Sequence, residues 1–247
     1  MPKDISRVST GVPGLDELIG GGLIENSVTL ITGNAGTGKT IMSTQFLVEG
    51  LKKGETCMFI SFEEKPQKIR ESASDFGWDL EKYEDEGKLF LEHRDPFMAS
   101  DRDEIFWFEN KLRDKDIDRV ALDSTSVVSL YFEDKYDIRK NTFKLTNVLQ
   151  EANVTTMMTT ESPEGAGRIT RFSVEEFLVD GVLVLYYSQM RDKEVVNLQV
   201  RKMRRTDIDR AYHHLRFTDQ GLEIGEREMS EARDVQLHHH RHDHQNQ

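Results

Sequence analysis

The feature that most constrains this chain is a glycine-rich segment of eight residues, Gly33-Asn-Ala-Gly-Thr-Gly-Lys-Thr40. A β-rich run at residues 27–32 leads into it, and residues 40–53 follow with apolar side chains at helical spacing. Glycines let the backbone curl without Cβ obstruction, and a helix that begins near Lys39 directs its free N–H groups at an anion. The segment therefore predicts a phosphate-binding loop between a strand and a helix.

Two side chains of this segment match the needs of a nucleoside triphosphate. The ammonium of Lys39 is expected to reach the β- and γ-phosphates, and the hydroxyl of Thr40 is expected to coordinate Mg²⁺. Because such a loop contacts phosphates and not the base, the residue pattern by itself leaves ATP and GTP open. The residues assigned to nucleotide binding are Gly33, Asn34, Ala35, Gly36, Thr37, Gly38, Lys39, Thr40 and Ile41.

Strand and helix patterns alternate along the rest of the chain, and such alternation builds an α/β fold with a parallel sheet covered by helices on both faces. From residue 182 onward, strands follow one another without helices. We therefore expect an antiparallel, β-rich C-terminal edge on an otherwise parallel, twisted sheet. The predicted strands are 27–32, 56–61, 89–92, 119–123, 154–160, 182–187, 195–201, 214–217 and 222–224, and the predicted helices are 40–53, 66–76, 103–115, 137–152 and 174–179.

Composition limits the class of protein. The 247 residues contain no internal repeat and no linker rich in proline or serine, so we expect one domain at residues 1–237 and a disordered, histidine-rich tail at 238–247. A single cysteine excludes an internal disulfide, and the start of the chain lacks the apolar core of a signal peptide. No apolar run approaches the roughly 20 residues that cross a bilayer. We therefore expect a cytoplasmic protein without a membrane partner.

Acidic side chains follow two of the predicted strands. Asp123 ends a strand of buried character, where a phosphate-loop fold places its second Mg²⁺-associated residue. Glu63 and Glu64 come directly after strand 56–61, which we expect to neighbour strand 27–32, and one of them could orient the water that attacks a γ-phosphate. The alternatives are a turn former at Asp123 and a solvated acidic loop at the glutamates. The sequence does not decide which glutamate matters more.

Further short motifs lie at residues 10–18, 20–23, 62–64, 76–78, 85–90, 123–124, 158–161 and 174–177. Together with the phosphate loop they resemble the KaiC family within the RecA/RadA superfamily. The resemblance covers about residues 5 to 227 and is to a single KaiC ATPase domain. It implies a RecA-like P-loop NTPase fold, binding of Mg-ATP, slow ATP hydrolysis, and a homo-oligomeric ring, usually a hexamer, with nucleotide at the subunit boundary.

The resemblance also implies roles for individual residues. Glu63 and Glu64 would form the catalytic carboxylate pair, and Asp123 would fill the Walker B role beside the metal. Thr160 and Glu161 would end the strand next to the γ-phosphate, where either could sense the state of the phosphate or simply end the strand.

A basic segment near the C-terminus resembles the Lys-x-Arg element of the family. Lys202 and Arg204 are two residues apart on a predicted strand, so they are expected to point to the same face. The resemblance implies that they reach the ATP of a neighbouring subunit and stabilise charge on its γ-phosphate, as an arginine finger does. Arg205 departs from the family, which commonly has glycine there. The alternative is an exposed edge strand whose cations deter aggregation.

Three kinds of function stay open. The leading hypothesis is a slow, regulatory ATPase ring with an unidentified protein partner, and the second is a signalling scaffold that ATP assembles with little turnover. The third is a RadA-like DNA-repair accessory ATPase, in which Arg168 and Arg171 could contact DNA; the alternative is that these arginines belong to a solvated loop. A net charge of −12 disfavours nonspecific wrapping of nucleic acid. Glu176 and Phe177 stand where the second domain of the clock protein has a phosphorylatable Ser-Thr pair, so no autokinase activity is expected.

Overall fold

The computed structural model describes residues 5–96, 101–128, 134–162, 170, 175–190 and 193–225. Within these ranges, short elements flank a glycine-rich turn, and strands and helices then alternate before four consecutive strands end the described chain. In chain order the elements are β1 (Arg7–Val8), α1 (Leu15–Leu18), β2 (Leu23–Ile24), β3 (Val28–Gly33), α2 (Lys39–Lys52), β4 (Cys57–Ser61), α3 (Pro66–Ser74), α4 (Leu80–Asp85), β5 (Leu89–His93), α5 (Arg102–Asp114), β6 (Arg119–Asp123), α6 (Thr125–Val128), α7 (Lys135–Glu151), β7 (Thr155–Glu161), α8 (Glu175–Leu178), β8 (Gly181–Met190), β9 (Lys193–Met203), β10 (Tyr212–Thr218) and β11 (Gly221–Ile224).

The main sheet has nine strands in the order β11-β10-β9-β8-β3-β7-β6-β4-β5. The strands from β8 across to β5 are parallel, and β9, β10 and β11 continue the sheet with antiparallel pairing. The predicted parallel sheet with an antiparallel C-terminal edge is therefore confirmed. The strand that leads into the phosphate loop, β3, lies between β7 and β8 in the interior of this sheet.

Apolar cores lie on both faces of the sheet. Every residue of β3, β4 and β6 is buried, as expected of parallel strands covered on both sides. Successive side chains of a strand point to opposite faces, so Leu30 joins one core and Ile31 joins the other. None of the helices in the described ranges is long and apolar enough to cross a membrane.

The predicted strands and helices correspond to elements of the structure, with shifted ends. Helix α3 stops at Ser74 rather than at residue 76, because a turn with Gly77 at φ 73° leads into a separate helix, α4, whose start is capped by the Asp79 carboxylate. The sequence patterns missed α4 and the short elements β1, α1, β2 and α6, since two to six residues are too few to establish a period. The loop with Arg168 and Arg171 and the tail at 238–247 lie outside the described residues.

A buried arginine ties together three parts of the fold. Arg119 at the start of β6 is 1% exposed and forms a two-pronged ion pair with the Glu55 carboxylate. Its Nη1 donates to the carbonyl oxygens of Ser9 at 2.8 Å and Phe46 at 2.9 Å. A Cβ on Gly50 would lie 2.5 Å from the guanidinium Nε, so a glycine in α2 leaves the room this side chain needs.

The Arg119→Met substitution is predicted to destabilise the fold strongly, because it leaves the Glu55 carboxylate and two carbonyl groups without their shared donor. We expect a loss of about 3 kcal/mol and a Tm lower by roughly 10 °C, measured by thermal unfolding. Arg113→Met removes an exposed arginine from α5 and serves as the control, with little change in Tm expected. Equal Tm values for the two variants would contradict this role of Arg119.

Candidate functional site

The glycine-rich segment forms a tight loop between β3 and α2. Gly36 and Gly38 adopt left-handed backbone conformations, with φ of 79° and 95°. Gly33 has an ordinary φ but no space for a side chain, because an added Cβ would lie 2.7 Å from the carbonyl oxygen of Leu185 on the adjacent strand β8. The hydroxyl of Thr37 donates to the Asn34 carbonyl oxygen across the loop at 2.8 Å. Glycine at these positions therefore lets the backbone of the loop curl and leaves its amides uncovered by side chains of the loop's own glycines.

Lys39 begins α2 and is buried. Its Nζ donates to the carbonyl oxygens of Gly33 at 2.9 Å and Asn34 at 2.8 Å, which leaves one of the three ammonium hydrogens for a further acceptor. Burial lowers the pKa of Lys39, and the negative charges of Glu161, Asp123 and Glu63 oppose that shift. The ammonium therefore lies among three carboxylates at the carboxyl edge of the sheet.

A hydroxyl and a carboxylate meet beside the loop. The Oγ1 of Thr40 donates to Oδ2 of Asp123 at 2.6 Å, and the hydroxyl of Thr159 on β7 donates to the other oxygen, Oδ1. Asp123 is 8% exposed and Thr159 is fully buried. The carboxylate that ends β6 is thus fixed from two sides, and one of its partners is the hydroxyl at the start of α2.

The two glutamates after β4 lie at the same edge of the sheet. The Oγ of Ser61 accepts hydrogen bonds from the backbone N–H groups of Glu63 at 3.3 Å and Glu64 at 2.8 Å, which fixes the turn. Although Glu63 as a whole residue is exposed, desolvation of its carboxyl group is the largest cause that raises its pKa, followed by repulsion from Asp123. A hydrogen bond with Ser124 and the charge of Lys39 act in the opposite direction.

The expectation that this strand neighbours β3 is wrong. Strands β7 and β6 lie between β3 and β4, because the strand order is β3-β7-β6-β4. Glu63 nevertheless interacts electrostatically with Lys39, since the loops that follow parallel strands all leave from the same edge.

Glu161 ends β7 directly beside the phosphate loop. It pairs with Gly33 in the parallel register, and its backbone N–H donates to the Ser126 hydroxyl at 2.6 Å. The Thr160 hydroxyl is fully buried and lies 3.3 Å from the same Ser126 oxygen. Of the two predicted sensor residues, Glu161 is therefore the one whose side chain is partly exposed at the edge of the sheet.

Sequence reasoning missed four side chains at this edge. The Thr159 hydroxyl binds Asp123, and the Ser126 hydroxyl binds the backbone of Glu161. Threonine is common in strands, so the sequence pattern did not mark Thr159 as a site residue. Tyr187 and Phe217 lie against the loop: an added Cβ on Gly36 would be 2.7 Å from the Tyr187 Oη, and one on Gly38 would be 3.0 Å from Phe217 Cζ. Both rings are partly exposed, at 39% and 48%.

Lys202 and Arg204 do not lie with the loop of their own chain. Lys202 pairs with Val182, which pairs with Leu30, whereas the loop begins at the level of Gly33, about 10 Å further along the sheet. Arg204 follows β9 and lies level with the amino end of β3. The two cations therefore lie toward the amino ends of the parallel strands, whereas the phosphate loop lies at their carboxyl ends.

Lys202 and Arg204 lie close enough to interact electrostatically, although β9 ends at Met203, before Arg204. Lys202 Nζ donates to the carbonyl oxygens of Glu176 at 3.0 Å and Val179 at 2.6 Å, and burial followed by the charge of Arg204 lowers its pKa. Arg204 forms an ion pair with Asp180 at 3.0 Å and is 53% exposed. Arg205 adopts a φ of 54°, a conformation that explains why glycine is favoured at this position.

The donor set beside the loop fits a magnesium ion. In the part of the chain that the structure describes, no group of three or more His, Cys, Asp or Glu side chains is arranged to hold a metal. Mg²⁺ does not need such a cage, because it binds through one or two protein oxygens and completes its shell with water and phosphate. The Thr40 hydroxyl and the Asp123 carboxylate supply oxygens of this kind, and they lie at the start of the helix that follows the glycine-rich loop.

Two cavities elsewhere in the molecule lack this chemistry. One of about 190 Å³ lies near Gln45 and Trp78, and one of about 400 Å³ lies between α5 and α7. Neither is lined by a residue of the phosphate loop. Trp78 itself is 7% exposed and stacks on Phe76, so it is a packing residue.

Comparisons with known proteins agree with this geometry. The family model for the KaiC ATPase matches residues 8–229. The circadian clock protein KaiC3 of Synechocystis is 36% identical over 212 residues, which are 82% of this chain and 42% of KaiC3. The clock oscillator protein KaiC of Synechococcus elongatus is 34% identical over 232 residues, or 89% of this chain and 44% of that protein. The chain thus spans less than half the length of these curated relatives.

A solved structure matches along nearly its whole length. The crystal structure of a KaiC-like protein from Pyrococcus horikoshii superposes with a TM-score of 0.81 and 33% sequence identity, covering 90% of this chain and 99% of that protein. The RecA-like fold inferred from sequence is therefore confirmed, and the single KaiC-like unit described here has a structural counterpart of similar extent.

The Gly33→Ala substitution is predicted to destabilise the loop through one backbone contact. The added Cβ would meet the Leu185 carbonyl oxygen, which cannot move without disturbing the pairing of β3 with β8. We expect a loss of about 1–3 kcal/mol in thermal unfolding. Gly225→Ala is the control, since Gly225 also lacks a positive φ and its nearest neighbours are side-chain atoms at 3.3 Å or more. A similar loss in both variants would contradict the close contact.

Proposed function

This chain belongs to the KaiC ATPase family, and from that premise we propose that it is a magnesium-dependent ATPase whose nucleotide binds at residues 33–40 and is completed by a neighbouring copy of the chain. The observation that carries the proposal is the hydrogen bond between Thr40 and Asp123. It places a hydroxyl and a carboxylate together at the start of the helix whose free N–H groups favour an anion. A metal ligand set and a phosphate cradle are thereby adjacent.

Thr40 and Asp123 would hold the metal, and Thr159 would keep the carboxylate oriented through its hydrogen bond. When bound, Mg²⁺ neutralises charge on the β- and γ-phosphate oxygens. Lys39 adds a second positive charge from inside the loop, where burial strengthens its attraction for phosphate oxygens.

Glu63 is the stronger candidate for orienting the attacking water. Its pKa is raised by desolvation and by Asp123, and a raised pKa suits a carboxylate that accepts a proton near neutral pH. Glu64 lies in the same turn, which is fixed by Ser61, and adds a second carboxylate at this end of the sheet. Glu161, paired with Gly33, lies where it can respond to the state of the terminal phosphate.

The positions of the cations support an assembly. Lys202 and Arg204 lie toward the edge of the sheet opposite the phosphate loop, so they reach a nucleotide only if it is bound to another copy. Contact between two different edges of identical chains is a heterologous interface, which repeats head to tail and closes into a ring when the rotation permits. We propose a ring, with six copies as the expected number.

A regulatory role follows from the same arrangement. If nucleotide is shared between copies, its binding and hydrolysis change the interface, and a partner that prefers one state of the ring senses the nucleotide. The rival is a scaffold assembled by ATP without turnover. Size-exclusion chromatography beside a phosphate-release assay separates the two, because ATP-dependent assembly without phosphate release would favour the scaffold.

Two substitutions separate nucleotide binding from hydrolysis. Lys39→Ala is predicted to abolish binding of Mg-ATP in calorimetry, because the loop loses its positive charge. The double variant Glu63→Gln/Glu64→Gln is predicted to bind Mg-ATP but to release phosphate at least about 100-fold more slowly, since general-base catalysis contributes about that factor or more. Lys52→Ala, at the exposed far end of α2, is the control. Wild-type turnover in the double glutamine variant would exclude the proposed base.

The Thr159→Val substitution tests the metal site through a residue that touches Asp123 and not the nucleotide. We expect the Mg²⁺ concentration for half-maximal ATP hydrolysis to rise about tenfold, because partners that orient a ligand contribute at that level. Thr156→Val on the same strand is the matched control. Thr156 Oγ1 is buried with no hydrogen-bond partner among the described residues, so its loss should leave the Mg²⁺ requirement unchanged. Equal requirements in both variants would remove Thr159 from the site.

A further inference from the structure

Arg7 connects the N-terminal segment to two distant parts of the chain. Its Nη1 donates to the carbonyl oxygens of Ile19 and Gly22, both at 2.8 Å, and its Nη2 donates to the Thr206 hydroxyl at 2.7 Å. We call Arg7, Gly20–Gly22 and Thr206 the N-terminal clasp. The planar guanidinium suits this task because its donors are fixed in different directions.

The three consecutive glycines allow the clasp to form. Gly20, Gly21 and Gly22 have φ of 75°, 104° and 120°, which other residues rarely adopt. An added Cβ on Gly20 would lie 3.1 Å from Thr206 Cγ2, and one on Gly22 would lie 2.4 Å from the Val8 carbonyl oxygen. The glycine motif therefore lets its backbone approach Arg7 and Thr206, a use unrelated to phosphate binding.

Thr206 links the clasp to the backbone of Arg204. While its hydroxyl accepts from Arg7, it donates to the carbonyl oxygen of Arg204 at 3.1 Å. The N–H of Arg204 donates to the Asp180 carbonyl oxygen at 2.9 Å. The peptide groups on both sides of the Arg204 Cα are thus held, one by Asp180 and the other by the clasp, while the side chain stays half-exposed.

We propose that Arg7 is a positioning residue for hydrolysis on the neighbouring copy: through Thr206 it fixes the backbone from which Arg204 reaches that copy's nucleotide. This inference rests on the proposed function, in which Lys202 and Arg204 act across a subunit boundary. A displacement of about 1 Å in a group that stabilises a transition state costs up to about 100-fold in rate. Loss of the restraint on the Arg204 backbone should therefore lower the rate of hydrolysis measurably.

The Arg7→Ala substitution is predicted to lower kcat by about tenfold and to change KM less than twofold, because the clasp acts on transition-state charge and not on the phosphate loop. Thr206→Val should have the same effect, and the double variant should be no slower than either single variant. Arg70→Ala is the control, since it removes an arginine that is held by Glu84 with two hydrogen bonds far from the clasp. Additive losses for Arg7 and Thr206 would overturn the proposed path.

Mixed assemblies separate this role from a general loss of stability. Glu63→Gln/Glu64→Gln chains keep their cations but cannot hydrolyse, whereas Arg7→Ala chains keep their phosphate loop and glutamates. When the two are coexpressed, about a quarter of the interfaces should join an intact loop to correctly held cations, so activity should rise above the mean of the two variants assembled separately. An Arg7→Ala chain damaged in its own loop would gain nothing from the mixture.

Arg204→Ala chains serve as a reference that separates failure of the clasp from failure of the shared nucleotide site. Arg204→Ala chains coexpressed with the double glutamine chains should also recover activity. If they do and Arg7→Ala chains do not, the role of the clasp is wrong and the shared site stands. If Arg204→Ala chains do not recover, the shared site fails and the clasp inference fails with it. Should Arg7→Ala not fold, Thr206→Val takes its place in the mixture.

Discussion

The hydrogen bond from the Thr40 hydroxyl to the Asp123 carboxylate is the interaction on which the rest of the candidate site depends. It joins the start of α2 to the end of β6 at 2.6 Å, although β7 lies between β3 and β6 in the sheet. Thr159 on that intervening strand binds the second carboxylate oxygen, so three elements meet at one side chain. Displacement of any of them would move the loop relative to the carboxylate. The buried strands behind this edge supply the rigidity that the arrangement needs.

The electrostatics of the site follow from the closeness of its charged side chains. Asp123, Glu63 and Glu161 surround the single ammonium of Lys39, so negative charge exceeds positive charge at this edge. Burial lowers the pKa of Lys39 and raises that of Glu63, which are both shifts toward the neutral form. An edge with this imbalance attracts a divalent cation, and a phosphate accompanied by such a cation arrives with much of its charge compensated. In the proposed function, the acidic residues and the anionic substrate are therefore compatible.

The sequence predicted the parts of this site that depend on local pattern. The loop at 33–40, its flanking strand and helix, and the strand ending at Asp123 all follow from glycine spacing and apolar periodicity, and the structure has them in those places. Strand order does not follow from local pattern, which is why the expectation that β4 adjoins β3 failed. The roles of Thr159 and Arg7 could not be predicted either. A threonine in a buried strand cannot be told from any other β-forming residue by sequence pattern. The partners of Arg7 are distant in sequence and become its neighbours only after folding.

In the proposed function, the separation of the loop from Lys202 and Arg204 makes each nucleotide site depend on two copies of the chain. Each copy would present its loop to one neighbour and its two cations to the other, so the proposed head-to-tail assembly would complete every site. Within one copy, Arg204 is held by Asp180 and Lys202 by two carbonyl groups, so neither cation is left without a partner before assembly. In this proposed assembly, the clasp would hold the backbone of Arg204 in place. A side chain that must exchange an internal partner for one across an interface benefits from a backbone that does not move during the exchange.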